Sequence, residues 1–179
     1  GCIKIWNFNE IIEFDKNLQS GEKSKKIKYS IDPIKVINTP GKKPASWLSF
    51  SPNSGFVAFS CDPNIIIVSS LTEDYSVQLC GHVESPDFVY FSKNTCKRIL
   101  SLSCKERCVR LWESQNDIWD KSTMLTNAPK IRYYRATFNC DESRIIGVSS
   151  KMINVWDTYS KQQLFVLTHK KYTDHATIV

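Results

Sequence analysis

The residues of this sequence that could carry chemistry are few, and the most suggestive pair is a histidine close to a cysteine. Cys80 and His82 are two positions apart, so both side chains lie on one face of an extended strand, where the histidine could activate the thiol. Such a nucleophile also needs an oxyanion-binding loop, and the sequence offers none. A buried histidine with a structural role, which donates to a carboxylate and accepts from a hydroxyl, explains the pattern better. We therefore predict that the protein is not an enzyme.

Metal and cofactor sites are not predicted either. Seven cysteines are scattered without a C-x-x-C pair, and the closest two, Cys104 and Cys108, have no matching second pair. His169 and His175 lack a third ligand at metal-binding spacing, and one of them is expected to serve the next repeat. The six glycines form no phosphate-binding loop. The odd, scattered cysteines indicate reduced thiols, as in the cytosol or the nucleus.

A lysine-rich segment, 21–43, is the first of two candidate partner-binding surfaces. Its densest cluster could pair with nucleic-acid phosphates or with an acidic protein, and consists of Lys23, Lys25, Lys26 and Lys28. The alternative, a solvated insertion, is favoured because Tyr29 is the only aromatic residue among the lysines. The net charge of +6 leans toward acidic partners.

The second candidate surface is a patch at the start of a predicted strand, made of Arg132, Tyr133, Tyr134 and Arg135. Tyrosine and arginine are enriched at binding hot spots, so the patch is predicted to contact a protein partner. The alternative is that one tyrosine packs in the core while the other residues decorate the surface. The nearby acids Asp141 and Glu142 are predicted to be solvated turn residues, since nothing apolar adjoins them in the sequence.

Composition allows a folded domain to position these side chains. The chain has 179 residues, 41% of them hydrophobic and 23% charged, which supports a packed core and argues against wholesale disorder. No apolar run approaches the roughly 18 residues that a membrane-spanning helix needs. The sequence opens inside a strand-like alternation without an initiator methionine, so we expect a fragment of a longer protein.

A repeat sets the spacing of the candidate residues. Three predicted strands end in a similar short motif that begins with phenylalanine. The phenylalanines are Phe50, Phe91 and Phe138, at intervals of 41 and 47 residues. A second landmark, a hydrophobic strand end, recurs at intervals of 44 residues, at Val68, Trp112 and Trp156. Short strands with a period of roughly 40–45 residues indicate four-stranded β-propeller blades.

The repeat therefore predicts an all-β fold with about three full four-stranded blades and two partial blades. The predicted boundaries are the end of a blade at 1–9, a basic inter-blade insertion at 10–44, blades at 45–80, 81–128 and 129–168, and a loop with the first strand of another blade at 169–179. The outer strand of the middle blade is predicted to be degenerate, near Trp119. The other predicted strands are Trp47–Phe50, Phe56–Ser60, Ile65–Val68, Ser76–Cys80, Asp87–Phe91, Arg98–Ser103, Cys108–Trp112, Arg135–Asn139, Arg144–Ser149, Met152–Trp156 and Gln163–Leu167.

The motifs at the repeat ends resemble the WD40 family. Gly81-His82 precedes a first strand, Trp112 closes a third strand, and the last repeat supplies Trp156-Asp157. The resemblance implies a WD40 β-propeller fragment that binds other proteins through its loops and is completed by the remaining blades of the same chain. It also implies a hydrogen-bond relay within one blade, made of His82, Ser101, Glu106 and Trp112. The blade-closing residues that it implies are Trp6, Val68, Trp156 and Asp157.

The irregular parts resemble a narrower group, the bromodomain and WD-repeat (pleckstrin-homology-domain-interacting protein) family. The resemblance spans nearly the whole chain and rests on the basic insertion before Trp47, the second tryptophan Trp119 after Trp112, and the segment 153–164. It implies a nuclear, chromatin-associated transcription regulator that contacts histones, influences cell shape and serves as a substrate receptor for a cullin-4 ubiquitin ligase. Its bromodomains would follow these residues, so no acetyl-lysine pocket is assigned.

Several positions depart from the family pattern. Glu106 and Ser150 stand where the turn aspartate is usual, and Val68 stands where tryptophan is usual. A ligase receptor carries arginine two residues beyond the Trp-Asp pair, but those positions here are Asn9, Gln115 and Tyr159. These blades therefore give no support to docking on the ligase adaptor. The alternative class is a cytoplasmic WD-repeat adaptor in cytoskeletal organisation, cell shape or trafficking, and neither class implies a membrane.

Overall fold

Nearly all regular structure in the described residues is β-strand. The computed structural model describes residues 1–7, 32–61, 63–116, 118–125 and 131–168. Within these ranges the helical structure amounts to a single 3-10 turn, Pro40–Lys42. The same ranges contain no helix with the length and apolar character needed to cross a bilayer. The prediction of an all-β fold is confirmed.

The strands are numbered here in chain order over the described ranges. Their bounds are β1 Cys2–Ile5, β2 Lys35–Asn38, β3 Ala45–Phe50, β4 Phe56–Cys61, β5 Ile65–Ser70, β6 Ser76–Cys80, β7 Phe88–Phe91, β8 Arg98–Ser103, β9 Cys108–Gln115, β10 Ile118–Met124, β11 Tyr133–Phe138, β12 Arg144–Ser149, β13 Met152–Asp157 and β14 Gln163–Thr168.

Strands β3 to β14 form three four-stranded antiparallel sheets, in which neighbours in sequence are neighbours in space. The first sheet is β3–β6, the second β7–β10 and the third β11–β14, all within the compact unit Pro44–Val179. The connections are short, and connections of this length can join only antiparallel strands. Because strand direction alternates, the start of each first strand and the turn between the second and third strands lie at the same end of a sheet.

The other compact unit, Gly1–Lys43, contains the antiparallel pair of β1 and β2. The two strands pair from Cys2 opposite Asn38 to Ile5 opposite Lys35. The stretch 10–44 was predicted to be an inter-blade insertion, and β2 makes part of it a strand. Ile37, which is 8% exposed, gives β2 one buried side chain.

Within β3 to β14, predicted and observed strands differ most in β10. Strands β6, β8 and β12 have the predicted bounds, whereas the degenerate outer strand predicted near Trp119 is a seven-residue strand paired with β9. A bulge between Ile118 and Lys121 shifts its register. Trp119 is 8% exposed and packs edge-on against Phe91, with ring centroids 6.0 Å apart. This contact anchors β10 to the core.

The core lies between the sheets. One buried cluster joins the first and second sheets and includes Ala58, Ile66, Val68, Leu79, Phe91, Ile99 and Trp112. A second cluster joins the second and third sheets and includes Leu100, Leu102, Leu111, Tyr133, Ile145 and Trp156. Burying a large apolar side chain contributes about 1.5–3 kcal/mol, so these two interfaces hold the three sheets together.

Strand register separates Val68 from the position that Trp112 and Trp156 occupy in their own sheets. Trp112 lies opposite Ile99, the residue that also pairs with the landmark phenylalanine of its sheet. In the first sheet the corresponding pair is Val57 and Ser69. Val68 is one position before Ser69 and therefore points to the opposite face of the sheet.

The outward faces of the first and third sheets are apolar and exposed. Leu48 and Phe50 on β3 are 45% and 50% exposed, whereas Val89 and Phe91, at the same positions of the second sheet, are buried. Every residue of β14 is exposed. Its large apolar residues are Leu164, Phe165, Val166 and Leu167. Contiguous exposed apolar faces of this kind mark surfaces that pack against other elements.

Candidate functional site

His82 lies at the centre of a buried hydrogen-bond network in the second sheet. Its Nδ1 is 2.6 Å from Glu106 Oε2, and its Nε2 is 2.6 Å from Ser101 Oγ. The indole N–H of Trp112 donates to the same Ser101 Oγ at 2.7 Å. The Glu106 carboxylate also accepts from the backbone N–H of Val83 at 3.2 Å. The structure thus brings together the four residues of the predicted relay and ties the loop before β7 to β8 and β9.

Burial sets the protonation states in this relay. Desolvation lowers the pKa of His82, and this effect exceeds the opposing influence of Glu106. Desolvation also opposes ionisation of Glu106, but the contacts with His82 and further hydrogen bonds outweigh it and lower the pKa of the carboxyl. The neutral imidazole therefore donates from Nδ1–H to Glu106 and accepts the Ser101 hydroxyl proton at Nε2.

Cys108 belongs to the same cluster and was missed in the sequence. Its Sγ is 3.6 Å from His82 Nδ1, and burial raises the pKa of the thiol to about 12. Among the described residues, His82, Glu106 and Cys108 form a group whose ligand atoms are close enough to hold a metal ion. The thiol is protonated, however, and the histidine and carboxylate are at hydrogen-bonding distance. The arrangement is thus a hydrogen-bond network, and the signal for Cys108 would have been its place at the start of β9.

Cys80, the alternative partner of His82, takes no part in this network. It is exposed at the end of β6, whereas the side chain of His82 is fully buried. Both ring nitrogens of His82 are already hydrogen-bonded, to Glu106 and Ser101. The spacing of Cys80 and His82 therefore does not translate into a nucleophile and its base.

The third sheet seats its tryptophan without a relay hydroxyl. Gly147 occupies the register position of Ser101, and fully buried Trp156 packs between it and Tyr133, whose ring centroid is 5.8 Å from that of the indole. The buried indole N–H of Trp156 has no acceptor among the described residues. Asp157 accepts from the backbone N–H groups of Tyr159 and Ser160 in the turn before β14.

The remaining residues named as blade-closing differ in their surroundings. Val68 is fully buried, and Trp6 lies just beyond β1 with 45% of its surface exposed. Asp157 pairs with Arg144 at 2.7 Å, and hydrogen bonds led by the Ser160 backbone lower the pKa of its carboxyl. The lysine cluster Lys23, Lys25, Lys26 and Lys28 lies outside the described residues, so its role stays a prediction.

The predicted Arg132–Arg135 patch divides between core and surface. Tyr133 is 1% exposed and belongs to the core, so it is not part of a binding surface. Arg132, Tyr134 and Arg135 are exposed. Side chains alternate between the two faces of β11, so buried Tyr133 is followed by exposed Tyr134. The bulge between Tyr133 and Arg135 interrupts this alternation, and Arg135 is exposed as well.

Glu142 is buried, contrary to the prediction that it is a solvated turn residue. It is 2% exposed, and its Oε1 accepts from the backbone N–H of Asn94 at 2.6 Å. Its Oε2 accepts from Thr95 Oγ1 at 3.2 Å. These contacts join the turn before β12 in the third sheet to the turn before β8 in the second, and Asn94 adds a hydrogen bond to the carbonyl of Cys140.

No protein-family model matches this sequence, and no curated protein matches it.

Proposed function

We propose that this chain contributes consecutive blades to a WD40-type β-propeller and that the protein is a non-catalytic protein-interaction scaffold. The observation that supports this most directly is the succession of three packed four-stranded meanders, the second of which carries the His82–Ser101–Trp112 network. The exposed apolar faces of β3 and β14 fit further blades on either side. Partners would bind through loops held by the rigid sheets.

Within that class, we propose a nuclear, chromatin-associated transcription regulator of the bromodomain and WD-repeat family. The support is the order of irregular features, above all the second tryptophan, Trp119, which packs in the core on its own strand. Histones and other chromatin proteins are the proposed partners. The proposal does not extend to docking of a cullin-4 adaptor through these blades, since Gln115 and Tyr159 stand where arginine is expected.

The scaffold proposal is tested by the shape of the intact protein. Electron microscopy of single particles is expected to reveal a ring of blades around a central channel, because the first and third sheets each leave an apolar face exposed. An open stack of sheets with no ring would contradict the propeller. A catalytic activity lost on substitution of Cys80 would contradict the scaffold role.

The chromatin proposal needs a separate test. Transcript sequence downstream of this segment is expected to encode two bromodomain-type helical bundles, and cell fractionation is expected to place the protein in a nuclease-sensitive chromatin fraction. A reading frame without such bundles, together with a cytosolic protein, would favour the alternative of a cytoplasmic adaptor in cytoskeletal organisation or trafficking.

A further inference from the structure

An arginine side chain lies against two aromatic rings from neighbouring sheets. Arg135 Cζ is 5.9 Å from the ring centroid of Trp47 and 5.6 Å from that of Phe88. The two ring centroids are 5.1 Å apart. Each of the three residues is three positions before the landmark phenylalanine of its own first strand, so they form one layer across the three sheets.

The guanidinium of Arg135 has no anionic partner among the described residues. Arg98, Arg110 and Arg144 each form an ion pair with a carboxylate, whereas Arg135 is exposed and its contacts are with the two rings. Aromatic rings attract the cation but leave the N–H groups at the edge of its plane available as donors. The layer therefore presents an unused, planar set of donors.

The layer opens on a cleft of about 420 Å³ lined by the first strands of all three sheets. Its walls include Trp47, Tyr90 and Thr137, so apolar and hydroxyl groups surround the cation. A guanidinium forms bidentate hydrogen bonds with a carboxylate, and neighbouring rings that exclude water strengthen such a pair. The first strands are sheet-edge strands, which suit an extended peptide.

We propose that the Trp47–Phe88–Arg135 layer binds a carboxylate side chain of an acidic peptide segment in a partner protein. This rests on the proposed propeller, since it places the cleft where the first strands converge, and it adds the chemistry of the partner. Arg135 supplies the paired donors, Trp47 and Phe88 hold the guanidinium in place, and the cleft accommodates the residues beside the acidic side chain.

The test is calorimetric titration of the intact protein with hexaglutamate at low salt, with hexaglutamine as the neutral probe. Hexaglutamate is expected to bind, and Arg135→Gln to weaken it about tenfold, the effect of losing a charged hydrogen-bonded pair. Arg135→Lys is expected to weaken it as well, because lysine keeps the charge but lacks the planar fork. Arg107→Gln is the matched control, since Arg107 is exposed on the turn before β9 at the same end of its sheet.

Three results would overturn the proposal. The first is that the intact protein does not bind hexaglutamate, and the second is that the wild type and Arg135→Gln bind it with equal affinity. The third is that Arg107→Gln loses as much affinity as Arg135→Gln, which would indicate general charge attraction. Failure of this site is distinguishable from failure of the propeller, because a ring-shaped particle that does not bind hexaglutamate contradicts only the acidic-peptide site. Equal thermal unfolding of the variants verifies that they fold.

Discussion

The indole of Trp156 lies directly against the backbone of Gly147, where a Cβ atom would be 2.8 Å from Cζ3 and 2.9 Å from Cη2 of the ring. In the neighbouring sheet the same register position is Ser101, whose hydroxyl accepts from the indole of Trp112. Two adjacent sheets therefore seat a buried tryptophan in different ways. One uses a hydrogen bond, and the other uses the space left by a missing side chain.

We expect Gly147→Ala to lower the free energy of unfolding by about 1–3 kcal/mol, the usual cost of overpacking a core. The indole is fully buried, and Tyr133 Cδ1 is only 3.1 Å from the same Cβ position, so the added methyl group would crowd both buried rings. Urea unfolding of the intact protein measures the change. Gly55→Ala is the control, since its Cβ would meet only the side chain of Asn53. Equal losses in the two variants would contradict the prediction.

Removing the relay hydroxyl should destabilise the second sheet. Ser101→Ala leaves the buried Trp112 N–H without its acceptor and His82 without its donor, which costs about 1–3 kcal/mol for each unsatisfied group. Ser160→Ala, which removes an exposed hydroxyl, is the matched control. Urea midpoints that fall equally for both serines would show that the relay contributes nothing.

His82 should make stability depend on pH. Its folded pKa is below the unfolded value of 6.5, so the unfolded chain takes up the proton first as the pH falls. The contribution of His82 is complete above pH 6.5 and declines as the pH falls toward the folded pKa, by at most about 1.4 kcal/mol per pH unit. The free energy of unfolding should thus fall more steeply with acidity for the wild type than for His82→Gln. Parallel curves for the two proteins would rule this out.

Glu142 should control protection of a single amide in the neighbouring sheet. Glu142→Ala removes the acceptor of the Asn94 N–H, and we expect that amide to exchange with solvent faster, by about tenfold or more. The unfolding free energy should fall by about 1–3 kcal/mol. Glu84→Ala is the control, since Glu84 is exposed in the loop before β7. Unchanged protection of Asn94 would indicate that the contact does not hold the two turns together.

The repeat made much of the fold predictable, because alternating strands and turn residues recur at a steady spacing. The relay residues were named from the resemblance of the motifs at His82 and Trp112 to those of WD40 repeats, which implies such a relay. Val68 was named from the 44-residue interval to Trp112, whereas the strand register places Ser69, 43 residues before Trp112, at the tryptophan position. Only the residue-by-residue pairing of the strands in the structure reveals such a shift.

Contacts between sheets were beyond the reach of the sequence. Glu142 resembles any solvated turn acid until the Asn94 turn of the neighbouring sheet is placed against it. Arg135 could have been aligned with Trp47 and Phe88 by counting back from each landmark phenylalanine. That its guanidinium reaches both rings depends on side-chain directions across three sheets, which no local pattern specifies.

The glycine at position 147 also bears on how the three repeats have diverged from one another. Where the second sheet has Ser101 and the third has Gly147, the first has Phe59 at the same register position. A serine introduced at 147 would not create a second relay, because Trp156 already fills the space that the hydroxyl would need. The second strands of these two sheets are thus no longer interchangeable, and an exchange of β8 for β12 alone would pair each tryptophan with the wrong neighbour.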